Sequence, residues 1–235
     1  MKSRFEKITN AGWFSSVIWI VLLIVLWEIG ATVVAITKRT PENVLPHLYQ
    51  IFAAAVSANK VTSDMTSMQA VLYSARLTLL RAFMGFALGA FFGFVFALLM
   101  KVSGVLEKML FPYLMLIQLI PVLGVAPIVL AITGDINMSR VIIAAILSFY
   151  PVATNTLAGF KSVEKEKYDL MYIYASKINA LYTKVLIPAA LPYFFTGLKI
   201  AAPMAVTASI LVDTLQGDGG VGCLLSQSLK HAMSI

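Results

Sequence analysis

The chain has 235 residues, of which 60% are apolar and only 12% charged. A soluble domain carries roughly 25% charged residues, so too little polar surface is present to cover a water-soluble globule, and a membrane class comes first. The formal net charge of +7 does not point to nucleic acid, because the basic residues sit between long apolar runs instead of forming a compact stripe with interleaved aromatics.

Residues 1–12 form a short basic tail containing Lys2, Arg4 and Lys7. An apolar run from Trp13 to Ile36 follows, within a first segment 13–37. It exceeds the roughly 7–15 residues of a signal-peptide core and shows no small-residue cleavage site, so an uncleaved first span is predicted. Residues 38–76 read as an external loop. Pro41 and Pro46 bracket its start, and Val44, Leu48, Ile51, Phe52 and Ala55 fall at helical spacing, which predicts a short interfacial helix.

Residues 77–235 form one core. Runs of about 20 apolar residues place spans at 77–100, 109–132, 140–160 and 192–215, giving about five in all and an all-α, polytopic transmembrane bundle. The second span carries Gly85, Gly89, Gly93 and Ala97 at four-residue intervals. Such a small-residue stripe lets helix backbones approach closely in lipid. The third contains Pro112, Pro121 and Pro127 with Gln118 and Gly124. Each internal proline removes a backbone hydrogen bond and kinks the helix, and a kinked span can line a solute path or simply bend. Gln118 and Pro121 are the path candidates here.

Ionisable residues within spans are rare and usually face the bundle interior. The candidates are Glu28, Arg81, Lys199 and Asp213. Lys199 can snorkel from a span end, and Glu28 and Arg81 suit helix packing. Asp213 lies at the outer end of span five, where it could line a translocation path or cap the bundle. Cys223 is the only cysteine, and His47 and His231 are far apart, so neither an intrachain disulfide nor a metal site is implied. Gly217-Asp218-Gly219-Gly220-Val221-Gly222 matches a dinucleotide fingerprint in letters. It follows a membrane span and lacks the downstream acid of a βαβ unit, so it reads as a glycine turn.

Lysine and arginine in the loops favour a cytoplasmic N-terminus. Lys101 and Lys108, then Lys161, Lys165, Lys167, Lys177 and Lys184, fall on the same side as the tail. The loop 161–191 is the longest on that side. Asp169, Leu170, Tyr172, Ile173, Tyr174 and Ile178 allow a short amphipathic helix, expected over Asp169–Ala175, whose leading acid would meet the positive end of the helix dipole. Pro188 and Pro192 set the entrance to span five.

This loop resembles the EAA loop of binding-protein-dependent ABC transporter permeases: an acid at Asp169, the turn position at Ala175 followed by Ser176, and a closing Val185-Leu186-Ile187-Pro188. Leu170 and Met171 stand where that family has alanines, and Ala175 where it has glycine. Arg81 to Gly85, Pro112, Ile120-Pro121, Thr196-Gly197-Leu198-Lys199 and Gly220-Val221-Gly222 extend the likeness over about residues 70–230. The nitrate/sulfonate/taurine-type permeases, with the related thiamine-precursor pyrimidine permeases, are the most similar subgroup. It often has glutamate at the position of Asp213.

The resemblance implies a type I ABC importer permease fold whose sixth span is missing from this sequence. It implies a multi-pass protein of the inner membrane and a homodimer with a second copy. A cytoplasmic ATP-binding subunit carrying ATP and magnesium would receive Asp169, Leu170, Met171, Tyr172, Tyr174, Ala175, Ser176 and Pro188 of each loop. An extracytoplasmic solute-binding protein would deliver the solute. No cofactor is expected in this chain, no P-loop is present, and catalysis is not expected of it. The competing reading is a secondary transporter or channel acting alone, which requires intramembrane ion relays; Asp213 and Glu28 are the available acids.

Overall fold

A computed structural model describes residues 12–37, 41, 44–57, 60–62, 65–119, 121–174, 177–215 and 219–233. It divides into two compact units, residues 1–70 and 71–235.

In the first unit, α1 spans Gly12–Thr37, and its stretch Ser15–Thr37 is long and apolar enough to cross a membrane. Its side chains are mostly left uncovered by the chain, as a helix surrounded by lipid requires. Helix α2 (Leu48–Val56) follows, then a minimal antiparallel hairpin of β1 (Lys60–Thr62) and β2 (Met65–Thr66). The turn into α2 is fastened to the middle of α1. The Trp27 indole N–H donates to the Pro46 carbonyl at 3.0 Å, and the Leu48 N–H donates to Glu28 Oε1 at 2.9 Å. Glu28 Oε2 lies 2.6 Å from His47 Nδ1.

Helix α3 (Ser67–Val102) leads into the second unit. Its 36 residues measure about 54 Å at 1.5 Å per residue, against a hydrocarbon core of about 30 Å, so it projects well beyond the bilayer. That explains why its start lies ten residues before the apolar boundary at 77: the extra turns are helical but too polar to read as span. Next come α4 (Gly104–Leu119), α5 (Val122–Thr133) and α6 (Ile136–Lys161). The loop 161–191 contains α7 (Lys165–Ile173) and α8 (Ile178–Leu181), and a π-helical turn over Tyr182–Leu186 leads into α9 (Ile187–Leu215). The last element is α10 (Val221–Met233).

Small residues set the packing. The buried face of α3 consists of Ser74, Thr78, Ala82, Gly85, Gly89, Ala90, Gly93, Ala97 and Met100. A Cβ added at Gly85 would meet Ala144 and the Val141 carbonyl; at Gly89, the Ala145 carbonyl and Ser148; at Gly93, the Phe149 carbonyl and Val152. Both helices advance by four residues between contacts, so α3 and α6 run parallel and in step. Gly159 of α6 faces Ala190 and Tyr193 of α9, while Gly197 faces Pro151 and Val152, so α9 runs antiparallel to α6. Helix α6 is therefore central, with Ser148, Val152, Ala153, Thr156 and Phe160 fully buried.

The predicted single span 109–132 is instead two helices, α4 and α5, inclined at 108°. Pro121 is the cause. It has no N–H to continue the ladder of α4 and disfavours helical geometry at the residue before it; it serves as the N-cap of α5, in an extended conformation. Because α3 and α6 are parallel, the chain between them must return across the bundle, so the broken pair counts as one crossing and brings the crossings among the described residues to five.

Candidate functional site

Two candidate sites lie in the second unit: a buried ion cluster where α3, α6 and α9 meet the start of α10, and the loop carrying α7.

Asp213 stands near the end of α9 and is fully buried. Arg140, in the first turns of α6 and also fully buried, places Nε 2.8 Å from Asp213 Oδ1. Arg81 of α3 reaches the same oxygen at 3.6 Å through a side chain that is 13% exposed. The Thr78 hydroxyl donates to Asp213 Oδ2 at 2.7 Å and accepts from the Val221 N–H at 3.0 Å. Both arginines donate to the Gly219 carbonyl, Arg81 at 3.4 Å and Arg140 at 3.3 Å. Gly219 and Gly220 have φ of +74° and +107°, a left-handed region that glycine enters without penalty. A Cβ at Gly220 would strike the Asp213 carboxylate, and one at Gly222 would strike Asp213 Cβ and the Ile210 carbonyl. The glycine turn is thus moulded onto the acid and brings α10 with it.

Asp213 is accordingly joined to three other elements by one carboxylate. Gln118, in the last turn of α4, and Pro121, at the bend, are exposed; neither is among the described partners of Asp213. Thr78, Arg140 and the Gly219 carbonyl are cluster members that sequence reasoning did not single out. The available signal was depth: Arg81, Arg140 and Asp213 all fall at the same-side ends of their spans.

The second place is the loop. Helix α7 begins four residues before the expected Asp169, because extended Glu164 serves as its N-cap and Val163 is buried beneath it. Glu166 is therefore the acid of the first turn, and Asp169 lies one turn further on, beyond the range over which the helix dipole acts strongly. Two contacts anchor α7. Lys101, at the end of α3, lies 5.3 Å from the Tyr168 ring centroid, and Tyr168 packs against the core cluster that includes Phe160, Val163 and Leu186. Nearby, Lys161 pairs with Glu107, joining the ends of α6 and α4. Other large apolar side chains of α7 and its C-cap are bare: Leu170 is 53% exposed, Tyr172 88%, Ile173 76% and Tyr174 76%. Asp169 is exposed and Met171 half-buried. Ala175 and Ser176 lie outside the described residues. Pro188 is exposed at the second position of α9. Its missing N–H and its ring crowd the ladder just before it, and there the Ile187 N–H reaches back five residues to the Tyr182 carbonyl, producing the π turn.

Comparison with known proteins gives this arrangement a family. A family model for the inner membrane component of binding-protein-dependent transport systems matches residues 85–234, more than half of the chain. The formylaminopyrimidine transport permease ThiX of Halalkalibacterium halodurans is 29% identical over 205 residues, covering 87% of this chain and 77% of that protein. The nitrate import permease NrtB of a Synechocystis species is 26% identical over 214 residues, covering 91% and 76%. A crystal structure of an amino acid ABC transporter with histidines has the same fold, with a TM-score of 0.58 at 21% identity, over 73% of this chain and 86% of that one. The family match spans the glycine stripe, the central helix, the α7 loop, and Arg140, Asp213 and Gly219 of the ion cluster, and the chain belongs to the inner membrane components of binding-protein-dependent transport systems, as an ABC transporter permease.

Proposed function

We propose that this chain forms the path for a small, modestly polar solute and is driven through α7 by a separate ATP-binding subunit. The supporting observation is the exposure of α7: Tyr168 ties the helix to the bundle, while Leu170, Tyr172, Ile173 and Tyr174 are left uncovered. A short helix with exposed aromatic anchors suits a groove on a partner protein. Its anchorage to α3, α6 and α9 would carry partner motion into the bundle. ATP and magnesium belong to that partner in this reading. A solute-binding protein meets the opposite face, a second copy of the chain completes the path, and the N-terminus is cytoplasmic. The small solutes named for the relatives, nitrate and a formylaminopyrimidine, agree with the size class.

Reconstitution with the ATPase and binding protein tests the coupling. Asp169→Lys and the paired variant Tyr172→Ala, Tyr174→Ala should abolish solute-stimulated ATP hydrolysis and uptake together, while the chain remains inserted. Full stimulated hydrolysis and uptake in both variants would remove α7 as the coupling element.

Sidedness has its own test. Ser162, the exposed cap of α6, replaced by cysteine in a Cys223→Ala background, should resist an impermeant thiol reagent in intact cells and react once the membrane is opened. Labelling in intact cells at the rate of an external control would reverse the orientation.

A further inference from the structure

We infer that residues 44–57 form a re-entrant membrane element in which α2 lies at hydrocarbon depth, its free face covered by lipid acyl chains. The inference is independent of the coupling proposed for α7.

The first observation is a ruler. Glu28 lies nine residues before Thr37, the end of the α1 membrane stretch, a distance of about 13 Å along the helix. One leaflet of the hydrocarbon core is about 15 Å deep. The N-terminus of α2 is bonded to Glu28, and the carbonyl of Pro46 to Trp27. Leu45 packs on Gly30, where an added Cβ would lie 3.1 Å from its side chain. Three neighbouring attachments therefore hold the turn low on α1, well inside the leaflet, and not at the end of α1 where an external loop would begin.

The second observation is polar satisfaction. Hydrocarbon has no water to pair with backbone groups, so a segment at that depth must pair them itself. The two carboxylate oxygens of Glu28 take the His47 ring and the Leu48 N–H. The His47 N–H donates to Gln50 Oε1 at 2.9 Å, and the Gln50 and Ile51 N–H groups donate to the His47 carbonyl. At the far end the Ser57 hydroxyl donates to the Ala54 carbonyl and its N–H to the Ala53 carbonyl.

The third is composition. Helix α2 reads Leu-Tyr-Gln-Ile-Phe-Ala-Ala-Ala-Val, with no charge and with its one amide engaged at the cap. Tyr49 is 68% exposed, Phe52 70% and Val56 83%. In water that face would be a wet apolar patch; in the leaflet it continues the uncovered apolar surface of α1.

Nitroxide labels at Phe52→Cys and Val56→Cys, in a Cys223→Ala background and in phosphatidylcholine vesicles, should collide far more often with oxygen than with a water-soluble nickel chelate. A label at Ile24→Cys on α1 sets the hydrocarbon reference. Preference for nickel would place α2 in water, and low collision with both probes would mean a protein partner; either overturns the proposal. Cys223 is buried, so the unaltered chain supplies a second measurement. Phosphatidylcholine with a diazirine in its acyl chain should leave adducts within 48–56, and adducts on α1 with none on 48–56 would equally defeat it.

Discussion

Asp213→Asn is expected to cost about 3–5 kcal/mol, the range found when one partner of a buried ion pair is removed. The asparagine keeps the shape and can still accept from Thr78, but it leaves Arg140, fully buried, and Arg81 without their carboxylate. The cluster joins α3, α6, α9 and the turn into α10, so the loss is felt by the bundle and not by one contact. A thermal melt of the purified chain in mild detergent, followed by size exclusion, should show the variant aggregating at temperatures the parent survives. Since the harm comes from an uncompensated buried charge, Arg140→Met combined with Asp213→Leu should lose less than Asp213→Leu alone. An Asp213→Asn variant melting with the parent would show that the guanidiniums find other partners.

Gly89→Leu should separate α3 from α6. A bare Cβ at this position already sits 2.5 Å from the Ala145 carbonyl oxygen and 2.6 Å from Ser148 Cβ, and a helix carbonyl cannot swing aside as a flexible side chain can. Overpacking costs typically about 1–3 kcal/mol and sometimes more; here even alanine must push backbones apart, and leucine must do so further. The expected order of folded yield is parent, Gly89→Ala, then Gly89→Leu. Gly104→Ala, with nothing within 4 Å of the added carbon, should match the parent. Equal yield and uptake for Gly89→Leu would mean that α3 and α6 do not approach this closely in the membrane.

The membrane class and the number of crossings were legible because twenty-residue apolar runs leave few other solutions. The four-residue glycine spacing was legible as a stripe, but its partner was not: Ala144, Ser148 and Val152 on α6 are ordinary small residues whose spacing names no neighbour. The break at Pro121 was under-read because hydropathy continues smoothly across it, and a proline within an apolar run is compatible with both a kink and a full turn of direction. The start of α7 was misplaced because an amphipathic pattern marks the face of a helix better than its end, and Glu164 caps through backbone geometry without a side-chain hydrogen bond. Thr78 carried no signal at all, since a lone threonine in an apolar helix usually bonds its own backbone, as Thr154 and Thr196 do.

The π turn at Tyr182–Leu186 has a rotational consequence. Each residue of an α-helix advances the chain by about 100° around its axis, and a π turn accommodates roughly one residue more than an α turn over the same rise. The surplus residue therefore sets the phase angle between the loop and α9. Without it, α8 would be turned by about a quarter of a circle relative to the small-residue face of Ala190, Gly197, Ala201, Ala205 and Ala208. The irregularity works as a keyway, indexing the part of the chain outside the bilayer to the part within it.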